Sequence, residues 1–443
     1  MMKSALIFLI SALSAVVSYA NANQLILPHP VTIWTANFTP YKLEMHMGTS
    51  AVVLLEISNV YVEKDTSFQL HSEKPDLAYV EHIIHASDID PFTKSWRGNV
   101  TINAIFMGGT RVYVELTNNE TGYKERNAES LELVITRRMR VIDHVFTGSV
   151  ALLVSLLYIN FGAALDVHVL RGLMSRPVGP TIGFMTQFII MPLLSYVLGY
   201  LIFPDSVEMQ LGLFFTGVSP SGGASNIWAV ILGGNINLSI LMTTISNFAA
   251  FGMMPLWLFT LGHVIFERGS MKVPYTNIAT FAICLVVPLG IGLLIQRYAK
   301  RLAGILVRLL KPISSCLILF IIIFAIVTNL YIFKLFSWQI IVAGLSLPWL
   351  GYIFAWFVAK ALRQNTVDAL TIAIETGIQN TGIAIFLLRF SLPQPQADLT
   401  TVIPVAVAIM TPFPLLGLYI YKRCTRRIIK DGLPEQQYIV EHN

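Results

Sequence analysis

Between residues 145 and 421 the chain holds nine apolar segments of 20 residues or more: 145–164, 179–203, 211–233, 237–262, 276–296, 312–333, 338–359, 367–388 and 399–421. A segment of that length crosses the roughly 30 Å hydrocarbon core of a bilayer as an α-helix, the one open-ended structure that satisfies its backbone polar groups internally. The segments predict an all-α polytopic membrane protein with nine transmembrane helices. Charged residues make up only 12% of the chain, against about 25% in soluble domains. A soluble enzyme is excluded, and no nucleophile with a placed base accompanies the spans. The net charge of +5 gives no case for nucleic acid, because the basic residues flank the spans.

Lys3 and the apolar stretch Ala5–Val17, followed by Ala20-Asn21-Ala22, read as a secretory signal peptide over residues 1–22. The mature N-terminus is then outside, and nine crossings place the C-terminal tail, 426–443, in the cytoplasm. Loop charges agree. Arg171, Arg176, Lys300, Arg301, Arg308, Lys360, Arg363, Lys422 and Arg426 all fall on the inner side. No retention signal is visible in the final residues, so the plasma membrane is the default address.

Residues 23–140 change character, to short alternating runs at Val52–Ile57, Thr101–Phe106, Arg111–Leu116 and Leu131–Ile135. This spacing predicts a small extracellular β-sandwich, with Gly108-Gly109 as a hairpin turn. Sequons at Asn37, Asn99 and Asn119 fit the lumenal side and are candidate glycosylation sites. His82, His85, Asp88 and Asp90 have no second ligand pair at a recognisable spacing and read as solvated side chains. The domain's partner is not legible.

Within the membrane part, residues 141–425, one carboxylate falls at mid-depth. Glu375 lies about 12 Å into its segment, and no Lys or Arg falls deep in any predicted span to neutralise it. Its neighbours Thr376, Gln379, Asn380 and Thr381 offer oxygen, and Gly377 and Gly382 loosen the helix. The chemistry is that of a hard cation. A second break, Ser219-Pro220-Ser221-Gly222-Gly223-Ala224-Ser225-Asn226, interrupts the segment 211–233. Ser239 and Thr243, four residues apart on one helix face, follow it, and Gln187 adds a buried amide. The two broken spans are five apart and cross the membrane in opposite directions, the mark of inverted repeats. Nine spans imply that one repeat lacks its first helix.

The stretches Gln187–Pro192, Pro220–Asn226, Met242-Thr243-Thr244 with Gly252–Pro255, and Glu375–Thr381 resemble the signature segments of the sodium/bile acid cotransporter family, over residues 145–425. The signal peptide and ectodomain resemble those members that carry a large N-terminal domain. The resemblance implies two broken crossing helices and two sodium sites. One draws on Ser225, Asn226, Ser239, Thr243 and Glu375. The other draws on Gln187, Glu375 and Gln379, with carbonyls at Thr376 and Ile378. For substrate it points to Asn380 and the loop of Ser221, Gly222 and Gly223, where Ser221 and Gly223 depart from the family's usual order. It implies symport of an amphipathic organic anion such as a bile salt or sulfated steroid, with sodium as the coupling ion, sodium as the only metal and no cofactor. Competing readings are a receptor or adhesion protein acting through its ectodomain, and a proton-coupled carrier using Glu375.

Overall fold

The computed structural model describes residues 34–60, 66–118, 122–138, 140–164, 177–269, 271, 274–328 and 336–432. The predicted signal peptide, residues 1–22, and the predicted glycosylation site Asn119 lie outside them. The chain divides into two compact units, Met1–Arg137 and Arg138–Asn443.

The first unit is a β-sandwich. Ten strands run β1 (Thr35–Thr39), β2 (Lys42–His46), β3 (Ser50–Ser58), β4 (Thr66–Ser72), β5 (Ala78–Tyr79), β6 (Ile83–His85), β7 (Trp96–Ala104), β8 (Gly108–Asn118), β9 (Lys124–Arg126) and β10 (Leu131–Thr136). One sheet has the order β1-β3-β7-β5 and the other β2-β10-β8-β4-β6, with β9 on β8. Alternation decides the faces: Val53, Leu55 and Ile57 of β3 and Val112 and Val114 of β8 point inward to a common core. Trp34 packs edge-on to Phe68 in that core, with ring centroids 5.1 Å apart.

Gly108-Gly109 is not a hairpin turn. Strands β7 and β8 belong to different sheets, and both glycines are strand residues paired with Ile135 and Val134 of β10. Gly108 has φ +147°, and a Cβ there would stand 2.8 Å from Leu77 Cδ1. The glycine serves a close crossing between sheets, which local sequence does not distinguish from a turn. Asp90 accepts the Phe92 N–H at 2.9 Å, and this bond holds its carboxyl below the usual carboxylate range. Asp88 accepts the His85 N–H. Both carboxylates organise turns.

The second unit is helical: α1 (Val141–Ala164), α2 (Val178–Met185), α3 (Met191–Ile202), α4 (Val207–Val218), α5 (Ala224–Ile231), α6 (Ile236–Trp257), α7 (His263–Arg268), α8 (Tyr275–Tyr298), α9 (Lys300–Thr328), α10 (Trp338–Ala361), α11 (Thr366–Gly377), α12 (Thr381–Ser391), α13 (Gln396–Met410) and α14 (Pro412–Gly432). Helix covers each predicted apolar segment in whole or part. Among the described residues, five continuous helices are long and apolar enough to cross a membrane: Val141–Ala163, Val178–Ile202, Ile236–Arg268, Trp338–Ala361 and Gln396–Thr425. Two helices overrun the predicted segments. Helix α9 starts at Lys300 and α14 continues through Lys430, because Lys and Arg are good helix formers and hydropathy reports burial, not helicity.

Helices α1, α8 and α9 pack on one another. Gly162 and Gly292 bring α1 and α8 to backbone contact, since a Cβ on Gly292 would run into the Ile159 carbonyl oxygen. Helices α2, α5, α6 and α10 pack on α11, and α4 and α13 pack on α12. Here the predicted spans 211–233 and 367–388 are each two helices joined by an unwound segment.

Candidate functional site

Local chemistry explains why the breaks form. Pro220 removes a donor and Gly222 and Gly223 weaken the ladder, so α4 ends at Val218 and α5 starts at Ala224. Asn380 stops the other span by capping a new helix: its Oδ1 accepts the Ile383 N–H at 3.2 Å and α12 begins. The two unwound segments then satisfy each other. Ser221 pairs antiparallel with Gln379, the Gly222 N–H donates to the Ile378 carbonyl at 2.8 Å, and the Asn380 N–H donates to the Pro220 carbonyl at 2.8 Å. Gly222 permits the approach, because a Cβ there would stand 2.8 Å from the Gln379 carbonyl oxygen. A two-residue sheet at the crossing thus replaces the bonds that both helices lose.

Glu375, 1% exposed, sits beside this crossing. No basic side chain pairs with it among the described residues. Its carboxylate is surrounded by hydroxyls from three elements. Ser221 Oγ lies 2.8 Å from both Oε2 and the main-chain oxygen of Glu375. Thr243 Oγ1 lies 2.8 Å from Oε2 and 3.0 Å from the Ser239 carbonyl. Ser239 Oγ lies 2.8 Å from Asn226 Oδ1 and in short contact with Glu375 Oε1. Ser225 Oγ stands 3.5 Å from the hydroxyls of both Ser221 and Thr243.

Counting protons shows what this arrangement can hold. Ser221, Ser239 and Thr243 make six close contacts to acceptor oxygens, and each hydroxyl has one proton to give. The six contacts share three hydroxyl protons, so the cage is rich in acceptor oxygens and poor in donors. One carboxylate, neutral hydroxyls and an amide oxygen are the hard donor set that suits an alkali or alkaline-earth ion.

Gln187 marks a second locus. The helix widens into a π-turn at Thr186–Ile190, because Pro192 has no N–H for the Phe188 carbonyl. The Trp257 indole N–H takes that carbonyl instead, at 2.7 Å. Gln187 Nε2 lies 2.8 Å from both the Ser219 carbonyl and Gln379 Oε1, while its own Oε1 is buried with no donor. Gln379 Nε2 donates to the Thr376 carbonyl at 2.6 Å. Gln187 and Gln379 are therefore brought together. The Glu375 carboxylate turns to the hydroxyl cage and makes no hydrogen bond to either amide, and the Ile378 carbonyl already accepts from Gly222. A narrow cleft lined by Gly183, Phe184, Met242 and Ile245 reaches Gln187, Ser221 and Glu375.

Of the residues pointed to for substrate, Asn380 keeps its Nδ2 buried and without an acceptor. Gly222 and Gly223 contribute backbone only, and Ser221 faces Glu375. An ion pair escaped sequence reading: Arg389, at the end of α12, lies 3.1 Å from Asp398 of α13, and both side chains are buried. Arg389 also stacks on Phe146 of α1, 4.9 Å from the ring centroid. It follows the predicted apolar segment 367–388 by one residue, a position where a charge normally reaches the membrane surface.

Comparison with known proteins gives an independent result. The model of the sodium bile acid symporter family matches residues 151–336, which include the first break and Ser239 and Thr243 but not Glu375. The human P3 protein is 30% identical over 272 residues, 61% of this chain and 57% of that protein. The chain thus spans little more than half the length of the P3 proteins it matches. The ileal sodium/bile acid cotransporter of Cricetulus griseus is 31% identical over 294 residues, 64% of this chain and 82% of the relative. Sodium/bile acid cotransporter 5 of Rattus norvegicus is 28% identical over 322 residues, 72% of each chain. With its helices broken and crossed at the segments those motifs occupy, this chain belongs to the sodium bile acid symporter family.

Proposed function

We propose that the protein is a sodium-coupled symporter of an amphipathic organic anion, working by alternating access through a nine-span membrane domain with its N-terminus outside the cell. The proton-poor oxygen cage around Glu375 carries this reading. Sodium supplies the positive charge that the cage lacks, and its ligands come from α5, α6, α11 and the break before α5. An ion there ties both broken spans together and cancels the carboxylate. The anion then meets the crossing at the free Asn380 amide without opposing charge, so each ligand raises the other's affinity by the same factor. An inward-negative potential contributes about 2.3 kcal/mol per net charge per 100 mV.

The hydroxyls also explain how an empty carrier keeps a buried carboxylate. A hydroxyl donates to Glu375 when the ion is gone and turns a lone pair to the ion when it is present. Proton coupling through Glu375 is the weaker reading, since a proton needs one acceptor, whereas this carboxylate is ringed by several neutral oxygens that suit a coordinated ion.

The test is uptake of labelled bile salts, sulfated steroids and related anions by cells expressing the protein, in sodium and in choline medium. Uptake that requires sodium is the expected result. Uptake that follows a pH gradient equally well in choline sinks sodium coupling, and surface protein that carries none of these anions in either medium sinks the proposed substrate class.

The outside placement of the sandwich makes its own prediction. Asn37 and Asn99 are exposed on the outer face of one sheet, on the strands that flank β3. Asn37→Gln and Asn99→Gln should each remove one endoglycosidase-sensitive step in electrophoretic mobility. A wild-type protein with no such step would contradict the lumenal placement.

A further inference from the structure

We infer that Ser221 is an oxygen ligand of the coupling cation and not a contact for the transported anion. The inference rests on the sodium reading above. It goes beyond that reading by adding the one ligand that comes from the unwound segment of the first broken span itself.

The backbone fixes where this hydroxyl points. Ser221 N–H donates to Ser246 Oγ at 2.9 Å, and its neighbours on both sides are bonded to the second break, Gly222 through its N–H and Pro220 through its carbonyl. The residue is 2% exposed. Its Oγ sits 2.8 Å from two oxygens of Glu375, one main-chain and one carboxylate, and has a single proton for the pair. The two contacts share that one proton, so the hydroxyl sits among more acceptor oxygens than it can fully satisfy. A cation bound here lets the hydroxyl proton turn away and draws on lone pairs of the hydroxyl and of both Glu375 oxygens.

Two consequences follow for the cage. Ser221 brings the ion to the unwound segment of the first broken span and the Glu375 main-chain oxygen brings it to the last turn of α11, next to the second break, while Ser225, Asn226, Ser239 and Thr243 reach it from regular helices. The ion thus braces the short antiparallel pair at Ser221 and Gln379, which positions Asn380. The hydroxyl also stands on a loop where glycine would leave the carboxylate less enclosed.

The experiment is a sodium chloride titration of thermal unfolding in detergent, at constant ionic strength with choline chloride and without any anion substrate. The wild type and the Glu375→Gln variant test the cation site itself. Ser221→Ala tests the inference, and Ser221→Cys keeps the side-chain size while exchanging hard oxygen for soft sulfur. We expect sodium to stabilise the wild type, and the half-stabilising sodium concentration to rise about tenfold or more in Ser221→Ala, which is about 1.4 kcal/mol. Ser221→Cys should show the same rise with an unfolding temperature in choline close to wild type, so a folding defect in Ser221→Ala would not hide the result. An unchanged sodium titration in a folded Ser221 variant overturns the inference and leaves the sodium reading standing. A wild type that sodium does not stabilise overturns both.

Discussion

Replacement of Glu375 by Gln should abolish the sodium response of this protein while leaving it folded. The substitution keeps size and shape but removes the only formal charge in the cage. At an ion–oxygen separation of about 2.4 Å and an effective dielectric near 20, that charge attracts a monovalent ion by about 7 kcal/mol before desolvation is subtracted. Sodium affinity should fall at least about 100-fold, which corresponds to about 2.7 kcal/mol. The new amide also brings N–H donors to a cage with too few protons. The variant's unfolding temperature in choline should therefore equal or exceed that of the wild type, and added sodium should no longer raise it. Thermal unfolding with and without sodium reads both effects, and uptake in the same cells reads the loss of transport. If Glu375→Gln retains sodium-dependent stabilisation, the carboxylate is not the centre of the site.

The second large effect lies away from the cage. Asp398→Asn should destabilise the helical unit by about 3–5 kcal/mol, because it leaves the Arg389 guanidinium buried without its carboxylate. Arg389→Met combined with Asp398→Leu should recover most of that loss, since a buried pair replaced by apolar side chains of similar volume is often neutral. The comparison needs only unfolding temperatures of the two variants and the wild type. Equal damage in the single and double variants would show that the pair acts through something other than mutual neutralisation. The stack of Arg389 on Phe146 joins α12 to α1, so part of the single-variant loss should appear as looser packing between those helices.

Much of the site could be read from the chain because polar residues in an apolar segment have few explanations. Glu375, Gln187, Ser225, Asn226, Ser239 and Thr243 stood out by residue type and depth, and family resemblance grouped them. Ser221 was visible but joined to the substrate, since nothing in its neighbourhood told which way its hydroxyl faces. Arg389 and Asp398 were hidden for another reason. Each sits at the edge of an apolar segment, where a charge normally reaches water, and only the packing of α12 on α13 removes that water. In the ectodomain, Gly108-Gly109 carried a turn signal that an inter-sheet crossing produces equally well.

The sequence by itself determined the solvent of each part. Apolar length and the need to satisfy backbone groups in lipid dictate helices after residue 140, alternation dictates strands before it, and prolines and glycines dictate where helices break. Tertiary structure decided which atoms meet. The carboxylate turned to the hydroxyls of Ser221, Ser239 and Thr243 and away from Gln187 and Gln379, because the short pairing of the two breaks sets the crossing to within a hydrogen bond. Helical periodicity places a residue on a face. Only contact between distant segments places an oxygen within 3 Å of another, and cation binding depends on that distance.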